Sequence, residues 1–240
     1  MRIITWNCNQ SFKKKCDLIL SFVPDIIVIQ ESEKFEQVDL DRLKRRPTQY
    51  FWCGDKVKKG ISVFNFSITH TLTELECDLT NNNRWVLPFK LEGDTFNFNL
   101  FAVWAMNHRG GNSVLDKVRP IYRTFQGFSN LLSHPTVIVG DFNNHTFWDN
   151  EFKTHLGSFS DILSMFREYQ IHSSYHEYNQ LQFGAENQHT LSFRKNLNAP
   201  YHIDYCFCSK TLLDNLKSIV IEKREEWIKS SDHVPLIMDL

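Results

Sequence analysis

A chain of 240 residues, 42% hydrophobic and 14% aromatic with 20 phenylalanines, has ample material for a core and is expected to form a single domain over 1–240. Lysine and arginine number 27 against 28 acidic side chains, a formal charge of −1, which excludes a strong nonspecific grip on polyanions over the surface as a whole. No segment is long and apolar enough to span a bilayer, and the opening MRIITWNCNQ lacks a secretion signal's continuous apolar stretch; a cytoplasmic protein is expected, with its six cysteines as reduced thiols.

In chain order, RIITW reads as the first strand. Phe12, Cys16, Ile19 and Val23 keep a helical spacing, with Ser11 as N-cap. PDIIVIQE (24–31) is a proline, a β-branched run and then an acid, the composition of a strand covered on both faces. Residues 50–54, 61–66, 84–91 and 95–104 are further strands. A second helix begins with Pro120 in its first turn and buries Ile121, Phe125, Phe128 and Leu132. PTVIVGDFN (135–143) repeats the pattern of 24–31. A third helix carries Phe159, Ile162, Leu163 and Phe166, residues 171–200 read as mostly loop, and 201–208 and 235–240 close the chain as strands. About nine strands and three helices fit two packed sheets with helices outside.

The polar residues worth attention fall at strand ends. Asn7 follows IITW, Glu31 follows IIVIQ, Asp141 and Asn143 follow VIVG, Asp204 lies in YHIDYCFC, and Asp232 with His233 precedes VPLIM. Singly each has a plain structural explanation: a turn former, the first acid of a charged loop, a turn built on Gly140 and Asn143, a polar loop before an edge strand. Jointly, if the strand ends converge, they make a cluster of oxygen donors with no cysteine and few histidines. That donor set suits Mg²⁺ or Mn²⁺ rather than zinc. The lysine-rich runs Lys13–Lys15, Lys44–Arg46 and Lys56–Lys59 are candidates for a local basic face, against the plainer reading of solvated surface.

RIITWNCN, DIIVIQE, VIVGDFN, HIDYCF and SDHVPLIMDL, in that order from end to end, resemble the endonuclease/exonuclease/phosphatase superfamily, and among its members the exonuclease III-like nucleases. The resemblance implies a four-layer α/β sandwich with the site at one end of the paired sheets. It implies Glu31 as the principal metal carboxylate with Asn7 beside it as ligand or phosphate contact, and Asp232 as a second metal-side carboxylate. Asp141 would orient or deprotonate the attacking water, Asn143 would bind the scissile phosphate, and His233, oriented by Asp204, would contact that phosphate. No cofactor beyond the metal is implied.

Deoxyribonuclease I-like members carry another histidine at the end of a middle strand, where this chain has Trp104. An indole has one N–H donor and no proton to shuttle at neutral pH. Trp104 is therefore read as a phosphate or base contact, or else as core. Phe193 and Arg194, with Lys195, lie where related nucleases approach the nucleic-acid backbone. The histidines of HSSYH (172–176) have the i, i+4 spacing of a zinc pair but lack the glutamate of H-E-x-x-H. RGG (109–111) is read as a flexible loop, and His108 is given no role without geometry. The implied function is metal-dependent hydrolysis of phosphodiester bonds in nucleic acid, DNA before RNA. The alternatives are a phosphatase or phosphodiesterase for inositol phosphates or phospholipid headgroups, an RNA-directed nuclease, and a noncatalytic binding protein that keeps the fold.

Overall fold

The computed structural model describes residues 1–76, 85–105, 114–151 and 157–240. Cys77, His108 and the RGG stretch lie outside them. Two mixed six-stranded sheets face each other. The first runs β13 (Ser218–Ile221), β14 (Leu236–Asp239), β1 (Arg2–Asn7), β2 (Ile26–Ser32), β4 (Lys59–Asn65), β3 (Gln49–Lys56). The second runs β5 (His70–Glu74), β6 (Val86–Gly93), β7 (Phe98–Trp104), β8 (Thr136–Asp141), β12 (Asp204–Ser209), β9 (Ile171–Ser173). A ribbon of β10 (Leu191–Ser192) and β11 (Pro200–Tyr201) stands apart. β1 pairs in parallel with β2, and β7 with β8; the other pairings are antiparallel.

The continuous Val/Ile runs follow from burial on both faces. In β8, Val137 and Val139 join the apolar cluster that includes Ile3, Val28, Val63 and Leu100 from both sheets, while Ile138 between them joins the cluster under the helices. Alternate residues of a strand point to opposite faces, so a strand covered on both sides must be apolar throughout. The helix Phe159–Glu168 supplies the outer cover, burying Phe159, Ile162, Leu163 and Phe166 as the spacing predicts. Its start is fixed by a capping box between Ser158 and Asp161. Truncating Phe166, packed edge-on against Phe125 and Phe207, would cost about 3–5 kcal/mol.

Four expectations are corrected. Ser11 does not cap a helix through its side chain; it sits at φ 54°, and the Glu33 carboxylate accepts from Phe12 N and Lys13 N instead. Val23 also takes a left-handed φ of 52° and is 66% exposed, because the helix ends at Leu20. Pro120 lies inside the helix Val114–Gly127, not in its first turn. Leu115, Lys117 and Arg119 are good helix formers, which extends the helix ahead of the proline. Residues 171–200 contain β9 and the helix Ser174–Asn179, both too short to show a period. The same brevity hides the edge strands β5 and β13. No helix among the described residues is long and apolar enough to cross a membrane.

Candidate active site

Sheet pairing carries the polar residues to one end of both sheets. β1 ends at Asn7 beside Gln30, the residue before Glu31, in β2. β7 ends at Trp104 beside Asp141, and Asp141 pairs across β8 with Asp204, the first residue of β12. Gly140 makes this possible. Its φ is +148°, and a Cβ there would lie 1.9 Å from the Val103 carbonyl oxygen, so only glycine lets β8 press against β7 just before Asp141.

The Asp141 carboxylate, fully buried, is held by amides from both sheets. Asn7 Nδ2 donates to Oδ2 at 2.9 Å, Asn143 Nδ2 to the same oxygen at 2.8 Å, and Asn143 N to Oδ1 at 2.8 Å. Asn143 Nδ2 also donates to Ala105 O at 2.9 Å, which commits both amide hydrogens assigned above to phosphate. In this structure Asn143 thus bonds Asp141 and Ala105, from a left-handed turn (φ 49°) that asparagine tolerates. Burial pushes the Asp141 pKa up and the charge of Asp204 adds to it; His233 and the amide donors pull the other way, leaving a net value of about 7.

Beside it, His233 Nδ1 and Asp204 Oδ2 are 2.8 Å apart and both residues are buried. Burial disfavours the imidazolium, but the charge and hydrogen bond of Asp204, with Asp141 and Asp232 behind, outweigh it and push the pKa up to about 10. Several bonds fix the pair. Trp6 Nε1 donates to His233 O, Ser231 Oγ accepts from His233 N and donates to Asn7 O, and Val234 N bonds Thr190 O. The Thr190 hydroxyl oxygen accepts from both Ile203 N and Asp204 N at 3.0 Å. His233 thus has a rigid seat before the last strand; Pro235 precedes β14 rather than interrupting it.

One ligand atom each from Asp141, Asp204 and His233 lie within 4.8 Å of one another. While protonated the imidazole has no lone pair to offer an ion, so in that state the two carboxylates are the ligands this trio could supply. Divalent-cation chemistry fits the oxygen donors to its side. Glu31 is the extra residue of a bulge in β2, at φ 60°. A non-glycine residue held there costs on the order of 1–3 kcal/mol and is characteristic of functional sites. Asp232 Oδ1 accepts from Asn9 Nδ2, and Asn9 N donates to Asn7 Oδ1, so Asn7 lies between the Glu31 strand and the Asp232 turn. Glu31, Asn7 and Asp232 are hard oxygen donors of the kind Mg²⁺ or Mn²⁺ takes.

The remaining residues fall in two places. Trp104 is 1% exposed and packed edge-on against Trp85, so no base can stack on it. Phe193 is 46% exposed with the Arg194 guanidinium 5.1 Å over its ring. These two stay outside the polar cluster but adjoin it, because Ser192 N bonds Asp232 O. Of the basic runs, Lys44–Arg46 belongs to the other end: Arg45 donates to Pro24 O and Phe66 O, and Lys44 pairs with Asp17. Lys15 caps the turn after Asn7, donating to Cys8 O and Gln10 O.

Sequence reasoning misses the supporting cast. Thr190 and Ser231 carry no motif signal of their own. Trp148, Tyr201 and Phe193 form an aromatic chain, with centroids 5.3 and 6.3 Å apart, drawn from distant segments. Glu186 clasps His145 Nε2 at 3.2 Å and His176 Nε2 at 2.9 Å, tying the Asp141–Asn143 loop to the segment that leads to Thr190. The HSSYH histidines do not converge: His172 pairs with Glu177, His176 with Glu186 and Ser173.

Solved structures share this architecture over the whole chain. An AP endonuclease from Archaeoglobus fulgidus superposes with a TM-score of 0.70 at 15% identity, covering 100% of this chain and 99% of that one. The 3'-5' exonuclease NExo from Neisseria meningitidis gives 0.69 at 18% identity, with coverage of 100% and 99%. The endonuclease domain of TRAS1, a telomere-specific non-LTR retrotransposon, gives 0.68 at 11% identity, with coverage of 99% and 96%. No curated protein matches the sequence. The model of the endonuclease/exonuclease/phosphatase family matches residues 4–233. A two-sheet sandwich with this polar end, matched by that model across nearly its full length, belongs to the endonuclease/exonuclease/phosphatase family and is a hydrolase of phosphoester bonds.

Proposed function

We propose that the chain is a divalent-metal-dependent nuclease that cleaves phosphodiester bonds in DNA by in-line attack of water. The observation that carries this reading is the meeting of Asn7 and His233 from one sheet with Asp141 and Asp204 from the other. Asp141, with a pKa near neutrality, is suited to take a proton from water; Asn7 and Asn143 hold its carboxylate in place. His233, kept charged by Asp204 through Nδ1, has Nε2–H left to donate to a phosphate oxygen. Glu31, Asn7 and Asp232 would hold Mg²⁺ or Mn²⁺, which when bound offsets charge on the phosphate oxygens. Polymer rather than headgroup is favoured by the exposed Phe193, flanked by Tyr201, Trp148 and Arg194, which offers stacking and charge beside the site.

The test is a substrate panel with Mg²⁺, Mn²⁺ and EDTA arms: supercoiled, linear and abasic duplex DNA, a 3'-phosphorylated end, RNA, inositol phosphates and sphingomyelin vesicles. Metal-dependent cutting of DNA is the expected result. Turnover confined to inositol phosphates or vesicles would overturn the nuclease reading, and turnover undiminished in EDTA would overturn the metal.

A further inference from the structure

Lys59 belongs to a run of lysines, yet its position is unlike that of its neighbours. Gln30 pairs with Ile61 and Ser32 with Gly60, so the bulged residue Glu31 falls beside the start of β4, where Lys59 stands. Gly60 allows this approach: a Cβ there would lie 2.3 Å from Cys53 O and 2.8 Å from the Trp52 ring. Lys59 Nζ is 3.1 Å from Glu31 Oε2 and 5.2 Å from the centroid of the Trp104 ring. Lys56 and Lys58 are exposed, whereas this ammonium is held between a carboxylate and an indole face.

The same carboxylate cannot serve a lysine and a divalent ion equally, because two cations at one anion repel. Trp104 itself brings no charge to the end of β7; the ammonium over its ring does. We propose that Lys59 is a phosphate-binding residue parked on Glu31 until a divalent ion claims that carboxylate, whereupon the ammonium, steered by the Trp104 face, grips a substrate phosphate oxygen. This rests on Glu31 being the metal carboxylate. It links the two binding events: Lys59 weakens the ion's hold on the free protein and strengthens the substrate's hold on the loaded one.

The experiment measures Mn²⁺ alone binding to the full-length wild type, Lys59→Met, Lys59→Arg and Glu31→Gln, by the electron-spin-resonance signal of free Mn²⁺. Steady-state kinetics on a 5'-p-nitrophenyl thymidine phosphodiester at saturating Mn²⁺ run in parallel, and thermal melts confirm folding. Lys59→Met is expected to bind Mn²⁺ about tenfold more tightly while KM for the diester rises about tenfold, with Lys59→Arg restoring both toward wild type. If wild type binds Mn²⁺ through Glu31 but Lys59→Met changes neither affinity nor KM, the ammonium is only a surface partner and this inference alone falls. If Glu31→Gln binds Mn²⁺ as wild type does, or wild type binds none, the metal placement falls and takes the inference with it.

Discussion

Asn7, the last residue of the first strand, donates its amide 2.9 Å across the gap between the sheets to the Asp141 carboxylate, 134 residues further on. The two residues belong to different sheets, so this bond both orients the carboxylate and registers one sheet end against the other. Removing it should show in both properties. Asn7→Ala is expected to lower kcat by about 10²-fold, the lower end of what a well-placed general base contributes, and to destabilise the protein by about 1–3 kcal/mol, because a buried acceptor loses a partner. Urea unfolding with parallel single-turnover assays measures both. A variant with wild-type kcat would remove Asn7 from the machinery.

Asp141 should make the folded state less stable as pH rises toward neutrality. Its ordinary pKa is 3.8 and in the folded protein it rises to about 7, with burial the first cause and Asp204 the second. A raised folded pKa means that the native state binds more protons than the unfolded one between these values. Its contribution to stability is therefore full below about pH 4 and is lost as pH rises through 7. Asp141→Asn cannot ionise, but it must turn its NH2 toward the Asn7 and Asn143 side-chain donors or toward Asn143 N, so it should be inactive and melt below wild type at pH 4. That deficit should shrink by about 1–2 kcal/mol at pH 8, where wild type carries the buried charge and the variant does not. Melting curves at the two pH values measure it, and a deficit of the same size at both would mean that the charged form is stabilised where it sits.

That contrast marks the limit of what the sequence discloses. The strands bearing Asn7, Glu31 and Asp141 are legible because full burial leaves only Val and Ile between the proline and the acid. The same logic places Phe159 and Phe166 under the second sheet. Pairing order is not legible, since it depends on β5, β9 and β13, whose few residues alternate or pair only at an edge. Roles are only half legible. GDFN identifies Asn143 as a site residue, yet that both its amide hydrogens serve Asp141 and Ala105 depends on where β7 ends. Lys59 is invisible among its neighbours until the bulge at Glu31 brings the two together.

His233 and Asp204 form a buried pair, and breaking it from either side should have different consequences. His233→Ala leaves a carboxylate uncompensated and should cost about 3–5 kcal/mol. Asp204→Asn keeps a hydrogen-bond partner but drops the charge, so the imidazole pKa falls from about 10 back toward or below its ordinary 6.5. With wild type, kcat should hold on the alkaline side until pH approaches 10. With Asp204→Asn the alkaline limb should move down by several pH units. The stability terms share this sign: the His233 contribution is full below pH 6.5 and is lost as pH rises through 10. A pH–rate profile of the variant with an unmoved alkaline limb would detach His233 from that limb.

Glu186 is a further acid whose side chain is largely buried, and its pH dependence runs the other way. Burial opposes its charge, but His145, His176 and the Gly184 amide donate to it and hold its carboxyl far below the ordinary 4.5. A depressed folded pKa gives stability that is present above about pH 4.5 and is lost as pH falls toward the folded value. Glu186→Gln should therefore cost about 1–3 kcal/mol at pH 7 and progressively less in acid. Because the clasp joins the Asp141–Asn143 loop to the segment ending at Thr190, which seats Asp204, the variant should also lower kcat with little change in KM. Unfolding at pH 7 and pH 4 beside steady-state kinetics separates the two effects. A variant that loses stability but keeps full kcat would reduce the clasp to a fastening, with no part in aligning Asp141 against Asp204.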